Sequence, residues 1–337
     1  MMKTWNIAIL GATGAVGQEM LKVLAERNFP IGELKALASK SSAGKVVHCG
    51  TRAVTIEEAT ESSFKNIDFV LGAVSNEMAK KFAPAIVASG AVFIDNSSAF
   101  RLQDDVPLVV PQINPDDAFK HHGIIANPNC STIVTLMAIS GIARIRKIEN
   151  MVACTYQAVS GAGREGIEEL EAQIKAEVYG EEKVNKIFPC QILSNAIPCI
   201  GSELENGYTT EEMKMQNEGR KILHLPEMKV CCTCVRIPVM RSHSISVQLK
   251  LDAPISIAEA EAAIASAPGC VLASDLNGRT YPTPLDTSDQ DLVYVGRVRR
   301  DLINGDNGIT LWCCGDQIRK GAATNCVEIA ELLIKNT

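Results

Sequence analysis

Aromatic side chains are scarce: Phe, Tyr and Trp together make up 4% of the 337 residues. That argues against the stacking platforms on which single-stranded nucleic acid is held. A basic excess is missing too, since 33 Lys and Arg stand against 39 Asp and Glu, leaving a net charge of −6. The chain therefore has no electrostatic footprint for a phosphate backbone. No apolar run approaches the roughly 20 residues of a membrane span. The opening, Met1-Met-Lys-Thr-Trp-Asn6, lacks the apolar core of a secretory signal. Cysteine, by contrast, is abundant. Without a secretory signal, twelve cysteines read as reduced thiols in the cytoplasm, not as a disulfide framework. One pair, Cys231 and Cys234, matches C-x-x-C inside Val230–Val239, which patterns as a strand. Residues three apart on a strand face opposite sides, so no metal site is expected.

What is present is an ordinary globular composition, 46% hydrophobic and 21% charged, long enough for two domains with separate cores. Trp5–Leu10 is a short apolar strand, followed by Gly11-Ala-Thr-Gly14-Ala-Val-Gly17 and a helix with Val16, Met20, Leu21, Val23 and Leu24 on its apolar side. A glycine-rich turn between a first strand and a first helix is a dinucleotide-binding signature. Its glycines let the backbone approach a pyrophosphate, and the helix N-terminus receives the charge. After the next strand, Leu34–Ala38, NAD binders usually carry an acid for the ribose 2′-hydroxyl. Here Ser39-Lys-Ser-Ser-Ala-Gly-Lys45 stands instead. Its hydroxyls and lysines suit a 2′-phosphate and point to NADP; the alternative is a solvated loop.

Apolar runs recur at Ile67–Leu71, Ala91–Ile94, Leu108–Val110 and Ile124–Ile125, with a helical stretch from Glu77 to Ser89. The alternation predicts an α/β fold with an N-terminal, Rossmann-type doubly wound sheet. Asp95-Asn-Ser-Ser-Ala-Phe-Arg101 lies at a strand's C-terminal end, where ligands of such sheets collect. Arg101 could pair with a substrate anion there, or be a surface arginine. Asn127-Pro-Asn-Cys130-Ser-Thr132 then joins a strand to a helix. Orphan N–H groups and the helix dipole favour a thiolate at such a place, which makes Cys130 a candidate nucleophile; a buried structural cysteine is the alternative.

Beyond this helix the pattern changes. Met151–Tyr156 leads into Gln157-Ala-Val-Ser160-Gly-Ala-Gly163, a second glycine-rich turn able to approach a phosphate or nicotinamide, and a charged helix to about Glu182. An exposed helix is expected to open at Glu211–Lys214. Strands follow at Val230–Val239, Ser244–Leu251, Val293–Arg299 and Thr310–Cys313, so the second domain reads as α+β with an antiparallel or mixed sheet. His243 falls between two of them and is one of only five histidines, a candidate base for Cys130. The expected division is 1–129, completed by a C-terminal helix within 317–337, and 130–316.

In this order the motifs resemble the aspartate-β-semialdehyde dehydrogenase family nearly end to end. The resemblance rests on residues 11–17, 42–45, 95–101, 127–132 and 157–163, on Arg236-Ile-Pro-Val239 with His243, and on Arg319-Lys-Gly-Ala-Ala323. One departure is Gly72–Glu77, where the family more often has a serine- and glycine-rich turn. The resemblance implies that Cys130 is an acyl-thioester nucleophile and His243 its acid–base partner. It implies that Gln157 positions the substrate and Arg236 holds its α-carboxylate. Arg101 and Lys214 match phosphate-binding residues. Gly11 belongs to the cofactor turn, while Thr13, Gly14, Ala15, Val16, Ser41, Ser42, Ser160, Gly161 and Gln317 match NADP contacts. The implied reaction interconverts β-aspartyl phosphate and aspartate semialdehyde with inorganic phosphate, in the aspartate pathway to lysine, threonine, methionine and diaminopimelate. A homodimer, joined through the second domain, is also implied.

Three other readings compete. N-acetyl-glutamyl-phosphate reductase shares the thioester logic, but Gln157–Gly163 favours the aspartyl substrate. A short-chain dehydrogenase would use Tyr179-x-x-x-Lys183, yet that tyrosine lies in a charged segment and Gly166 stands where a serine is expected. A catalytically inactive NADPH sensor is disfavoured by Cys130, Gln157 and His243 together.

Overall fold

The computed structural model describes residues 3–335, grouped into two compact units. The first runs to Asn129 and resumes at Ala322; the second is Cys130–Gly321. Residues 317–321, expected with the C-terminal helix, thus belong to the second unit.

In the first unit the strands are β1 (Trp5–Leu10), β2 (Ile31–Ala38), β3 (Val46–Cys49), β4 (Arg52–Glu58), β5 (Phe69–Gly72), β6 (Val92–Asp95) and β7 (Ile124–Ala126). They form one sheet in the order β3-β4-β2-β1-β5-β6-β7, parallel except for the β3–β4 hairpin. Strand β1 sits in the middle with its last four residues buried, as a run covered on both faces must be. Order reverses across β1, between β2 and β5, which makes the carboxyl end of β1 a switch point. Helix α1 is Ala15–Glu26 and α2 is Asn76–Ala88, the latter capped by Ser75 Oγ accepting from Met78 N.

Two local expectations change here. Leu108–Val110 is buried but forms a single bridge to Ala126, because asparagine side chains take its other ladder groups: Asn114 Oδ1 accepts from Val110 N, Asn114 Nδ2 donates to Leu108 O, and Asn325 Nδ2 donates to Val109 O. Conversely, β3 and β4 are a hairpin turning at Gly50 (φ +59), mostly solvent-facing and so without an apolar run to announce them.

The second unit opens with α3 (Cys130–Ile145), buried continuously from Ser131 to Ile142. Strand β8 (Ile148–Gln157) follows, then a 3₁₀ turn at Val159–Ala162, α4 (Arg164–Tyr179) and α5 (Thr210–Ile222). Next come β9 (Lys229–Arg236), β10 (His243–Leu251), α6 (Ile257–Ser266), β11 (Cys270–Leu272), α7 (Pro284–Thr287), β12 (Val293–Asp301) and β13 (Gly305–Gly315). Six strands form a mixed sheet in the order β11-β12-β13-β10-β8-β9. Helix α4 stops earlier than its charge pattern implied, because Gly180 adopts the left-handed C-cap (φ +69). Helix α5 is not the exposed helix expected from its charges. It buries Glu211, Glu212, Met215, Glu218 and Ile222, and Glu212 both closes a capping box with Thr209 and accepts the edge N–H of Cys234.

The chain then returns to the first unit as α8 (Thr324–Ile334). Arg27 grips Glu331 through two bonds of 2.8 and 2.7 Å, but such a partly exposed pair contributes at most about 1 kcal/mol. Burial of Val327, Ile329 and Leu333 against the sheet core, at about 1.5–3 kcal/mol per side chain, is what holds the helix. Among the described residues no helix is long and apolar enough to cross a membrane.

Candidate active site

The cofactor turn lies at the switch point of the first unit. Gly11 has φ +95, and a Cβ there would stand 2.3 Å from the carbonyl oxygen of Ala73, so only glycine closes this turn. Its N–H and that of Ala12 donate to Leu37 O. Gly14 caps α1 without a side-chain hydrogen bond, and no acid stands in the first turn. A Cβ on Gly14 would meet nothing closer than 3.5 Å, so internal packing does not demand glycine there. Exposed Gly14, with Thr13, Ala15 and Val16 half-buried around it, leaves an open, electropositive helix end that fits a dinucleotide pyrophosphate. Beyond β2, Lys40–Ser42 is a 3₁₀ turn in which Ser39 and Ser41 hydroxyls lie 3.0 Å apart. Ser41 is exposed and Ser42 half-buried, with Lys40 and Lys45 exposed beside them.

Arg101 is not a surface arginine. It is buried, with Nε donating to Asn127 O at 3.0 Å and Nη2 to Asn96 O at 2.8 Å. The guanidinium thus anchors the start of Asn127–Thr132, while Asn127 Nδ2 donates to Asn96 Oδ1.

In the second unit, strand register does the assembling. Gln157 pairs with Arg236 across β8–β9, and Tyr156 pairs with Ser244 across β8–β10. Gln157, Arg236 and His243 therefore stand level at one end of three adjacent strands, all buried. Cys130 begins α3, which packs on the same sheet, and its Sγ is 3.4 Å from His243 Nε2. Arg236 donates from Nη1 to Ala158 O at 2.6 Å, with Phe188 beneath the guanidinium. Burial lowers its pKa, while the charges of Cys130, Glu211 and Cys234 oppose that shift. A buried cation within reach of the sulfur and a helix N-terminus both favour the thiolate.

Glu211, which the sequence did not single out, links two residues that it did. Its Oε1 accepts from Gln157 Nε2 at 3.3 Å and its Oε2 from Lys214 Nζ at 2.9 Å. A carboxylate three residues before a lysine reads as a solvated helix pair; only the packing of α5 onto β9 buries it.

The second glycine-rich turn supports the histidine. Ser160 Oγ donates to Met240 O, and Gln317 Nε2 donates to Ser160 Oγ. Gln317 Oε1 accepts the N–H of Ser242 at 2.8 Å. Ser242 holds a left-handed φ of +71, a strained setting for a residue with a side chain, immediately before His243. Gly161 lies against the site: a Cβ there would be 2.6 Å from Arg236 Nη1 and 3.2 Å from His243 Cε1. Gly161→Ala should therefore push Arg236 aside and lower kcat/KM by about 10–100-fold, while the overpacking, about 1–3 kcal/mol, lowers the melting temperature by a few degrees. Parallel kinetics and thermal melts check this; an unchanged kcat/KM would show that Arg236 can yield. The C-x-x-C sulfurs diverge, Cys231 exposed and Cys234 buried on β9.

A reactive sulfur touching an imidazole, a buried arginine beside it and an open helix end for a dinucleotide suit covalent oxidoreduction of an anionic carbonyl compound. Known proteins agree. The semialdehyde dehydrogenase NAD binding domain matches residues 6–121, and the semialdehyde dehydrogenase dimerisation domain matches 139–320. The chain is 46% identical to aspartate-semialdehyde dehydrogenase from Synechocystis sp., covering 98% of this chain and 97% of the relative. It is 47% identical to the enzyme of the same name from Aquifex aeolicus, covering 98% of each. Aspartate semialdehyde dehydrogenase II from Vibrio cholerae, solved in complex with ASA, superposes with a TM-score of 0.96 at 42% identity over 99% of both chains. With motif order, fold and near full-length similarity in accord, the chain belongs to the aspartate-semialdehyde dehydrogenase family.

Proposed function

We propose that the protein interconverts β-aspartyl phosphate and aspartate semialdehyde through an acyl thioester on Cys130, with NADP as the hydride carrier. The observation that carries this reading is the contact between Cys130 Sγ and His243 Nε2 at the N-terminus of α3, beside buried Arg236. Cys130 is the nucleophile and His243 the group that serves its reacting oxygen. Arg236 offers a planar fork to the substrate's α-carboxylate, and Glu211 a carboxylate to its ammonium. Gln157 orients the carbonyl. Lys214 and Arg101 hold phosphate, which attacks the thioester in one direction and leaves in the other. Sulfur serves both halves, as a good nucleophile and a good leaving group.

The pyrophosphate would rest on residues 11–16 and the 2′-phosphate on Ser41 and Ser42; when bound, the nicotinamide exchanges hydride with the substrate carbon. Ser160, Gly161 and Gln317 border the imidazole on the side we assign to that ring. The first unit, in this reading, carries the cofactor and the second the chemistry and a homodimer contact. The outward face of the mixed sheet, with Val152, Cys231 and the tilted ring pair Tyr156–Trp312, suits that contact. A reducing cytoplasm suits the twelve cysteines, and the semialdehyde would supply lysine, threonine and methionine biosynthesis.

The test is phosphate-dependent formation of reduced cofactor from aspartate semialdehyde. NADP should give the higher kcat/KM, because hydroxyls and lysines replace the ribose-binding acid after β2. A higher value with NAD would overturn the cofactor assignment; no turnover of the semialdehyde would overturn the function.

A further inference from the structure

We propose that Gly321 is a positioning residue for the nucleophile: its bare backbone is the wall on which Cys130 rests, and it keeps the sulfur where a carbonyl carbon can be attacked. The inference deepens the thioester function proposed above and rests on it for its chemical consequence.

Space, not backbone conformation, is what calls for glycine here. Gly321 has no left-handed φ. It sits inside a π-helical turn, Arg319–Ala323, and glycine is a poor residue for a helix interior. A Cβ on it would stand 2.9 Å from Cys130 Cβ, 3.2 Å from Cys130 Cα and 3.4 Å from Cys130 O. All three neighbours are atoms of the nucleophile, and none is the free end of a long side chain. Gly315 makes a second close approach, where a Cβ would be 3.0 and 3.1 Å from the two methyl groups of Val134. Cys130 and Val134 are four residues apart on α3 and share a face. Two glycines therefore let the segment 315–321 lie along the first turn of α3, and the tighter of the two lies on the cysteine.

The wall is held from behind. Gly321 N donates to Asp316 O at 3.0 Å, the bond that closes the π turn. The Asp316 carboxylate is fully buried. Its Oδ1 accepts from Ile318 N at 2.9 Å and Arg319 N at 3.0 Å, and its Oδ2 accepts from Asp289 N at 2.7 Å and from Arg241 Nε. Arg319, also buried, closes a two-point clasp on Asp291, Nε to Oδ1 at 2.8 Å and Nη2 to Oδ2 at 3.2 Å. A buried carboxylate satisfied by so many donors makes a rigid anchor. These groups and Cys130 all belong to the second unit.

An added methyl group would therefore displace Cys130 and not the turn. Carbon atoms pack best at about 3.5–4.0 Å, so a contact of 2.9 Å must open by about 0.6 Å or more. Attack needs the sulfur roughly 3–3.5 Å from the carbonyl carbon with its orbitals aligned, and a misplacement near 1 Å can cost about 10²-fold. The groups assigned to the substrate's carboxylate and to phosphate in this unit, Arg236 on β9 and Lys214 on α5, are on other elements. Gly321→Ala should hence slow formation of the S–C bond without weakening substrate binding.

The test is a stopped-flow burst of the whole protein with aspartate semialdehyde and NADP⁺ in phosphate-free buffer. The amplitude of the NADPH burst counts competent sites, and its rate reports attack by Cys130 and hydride transfer. In Gly321→Ala the amplitude should match the parent's while the burst rate falls about 10–100-fold. The semialdehyde and NADP⁺ concentrations giving half the maximal rate should stay within about twofold. A lowered amplitude at the parent's rate would show a merely structural glycine, and a rise confined to the NADP⁺ value would place it at the cofactor. Either result, or an unchanged rate, overturns the proposal. Alkylation of the substrate-free protein by iodoacetamide, read by peptide mass spectrometry, separates this from the assigned function. Cys130 should react at least about threefold more slowly in Gly321→Ala, while exposed Cys190 keeps its parent rate. A parent without a burst, together with that slowing, would refute the thioester function and uphold the positioning; equal Cys130 rates would refute the positioning. Should Gly321→Ala not fold, Arg319→Gln decides. Loss of the clasp on Asp291 should slow the burst about 3–10-fold at the parent's amplitude, with Arg319→Lys recovering part of it. The parent's rate in Arg319→Gln would overturn the proposal.

Discussion

Cys130→Ala should abolish phosphate-dependent oxidation of aspartate semialdehyde, a loss of at least about 10⁴-fold, because no other group can carry the acyl intermediate. NADPH binding should survive, since the glycine turn at 11–17 belongs to a strand–helix element of the other compact unit. A merely structural cysteine would behave differently, tolerating alanine at a modest stability cost with activity kept. The decisive observation is covalent. Enzyme quenched with semialdehyde and NADP⁺ in phosphate-free buffer should carry one acyl adduct on Cys130 by intact-mass and peptide mass spectrometry, and phosphate should remove it. An adduct on any of the other eleven cysteines, or full turnover by the alanine variant, would end the thioester mechanism. Their burial already argues against most of them: Cys313 and Cys326 are enclosed completely, and burial drives both thiols far above the ordinary range.

Arg236→Leu should have the next largest effect. Two charge-assisted hydrogen bonds to the substrate carboxylate, each worth about 1.5–3 kcal/mol, correspond to roughly 10²–10⁴-fold in kcat/KM. The loss should fall on the semialdehyde and leave the KM for phosphate near that of the parent. Replacing Arg101 by leucine should do the reverse, raising the phosphate KM. The fold should persist in Arg236→Leu, because Glu211 keeps its ion pair with Lys214 and its bond from Gln157 when the guanidinium is removed. Lysine should rescue little, since a point charge does not reproduce the planar fork that Arg236 presents. Equal effects of the two leucine variants on both substrates would overturn this division of labour.

What could be read from the chain alone was local. Glycine at 11, 14 and 17 between a strand and a helix, and a cysteine opening a helix after Asn127-Pro-Asn129, depend on neighbours within a single turn of backbone. Backbone geometry and the orphan N–H groups of a helix end dictate what such sequences do. The alternation of apolar runs gave the parallel sheet for the same reason, although side chains of Asn114 and Asn325 take the backbone groups of Leu108–Val110 and the exposed β3–β4 hairpin had no apolar run to announce it. Arg101 and Glu211 show the opposite case. Both look like solvated charges by pattern, and both are buried, because packing rather than local preference decides which charged side chains leave water. The pairing of β8 with β9 and β10 brings Gln157, Arg236 and His243 level although they are far apart in the chain. A histidine with a sulfur on one nitrogen and a backbone amide on the other has no signature in sequence. The sequence by itself determined which residues were chemically able to act; strand register and burial decided which of them meet.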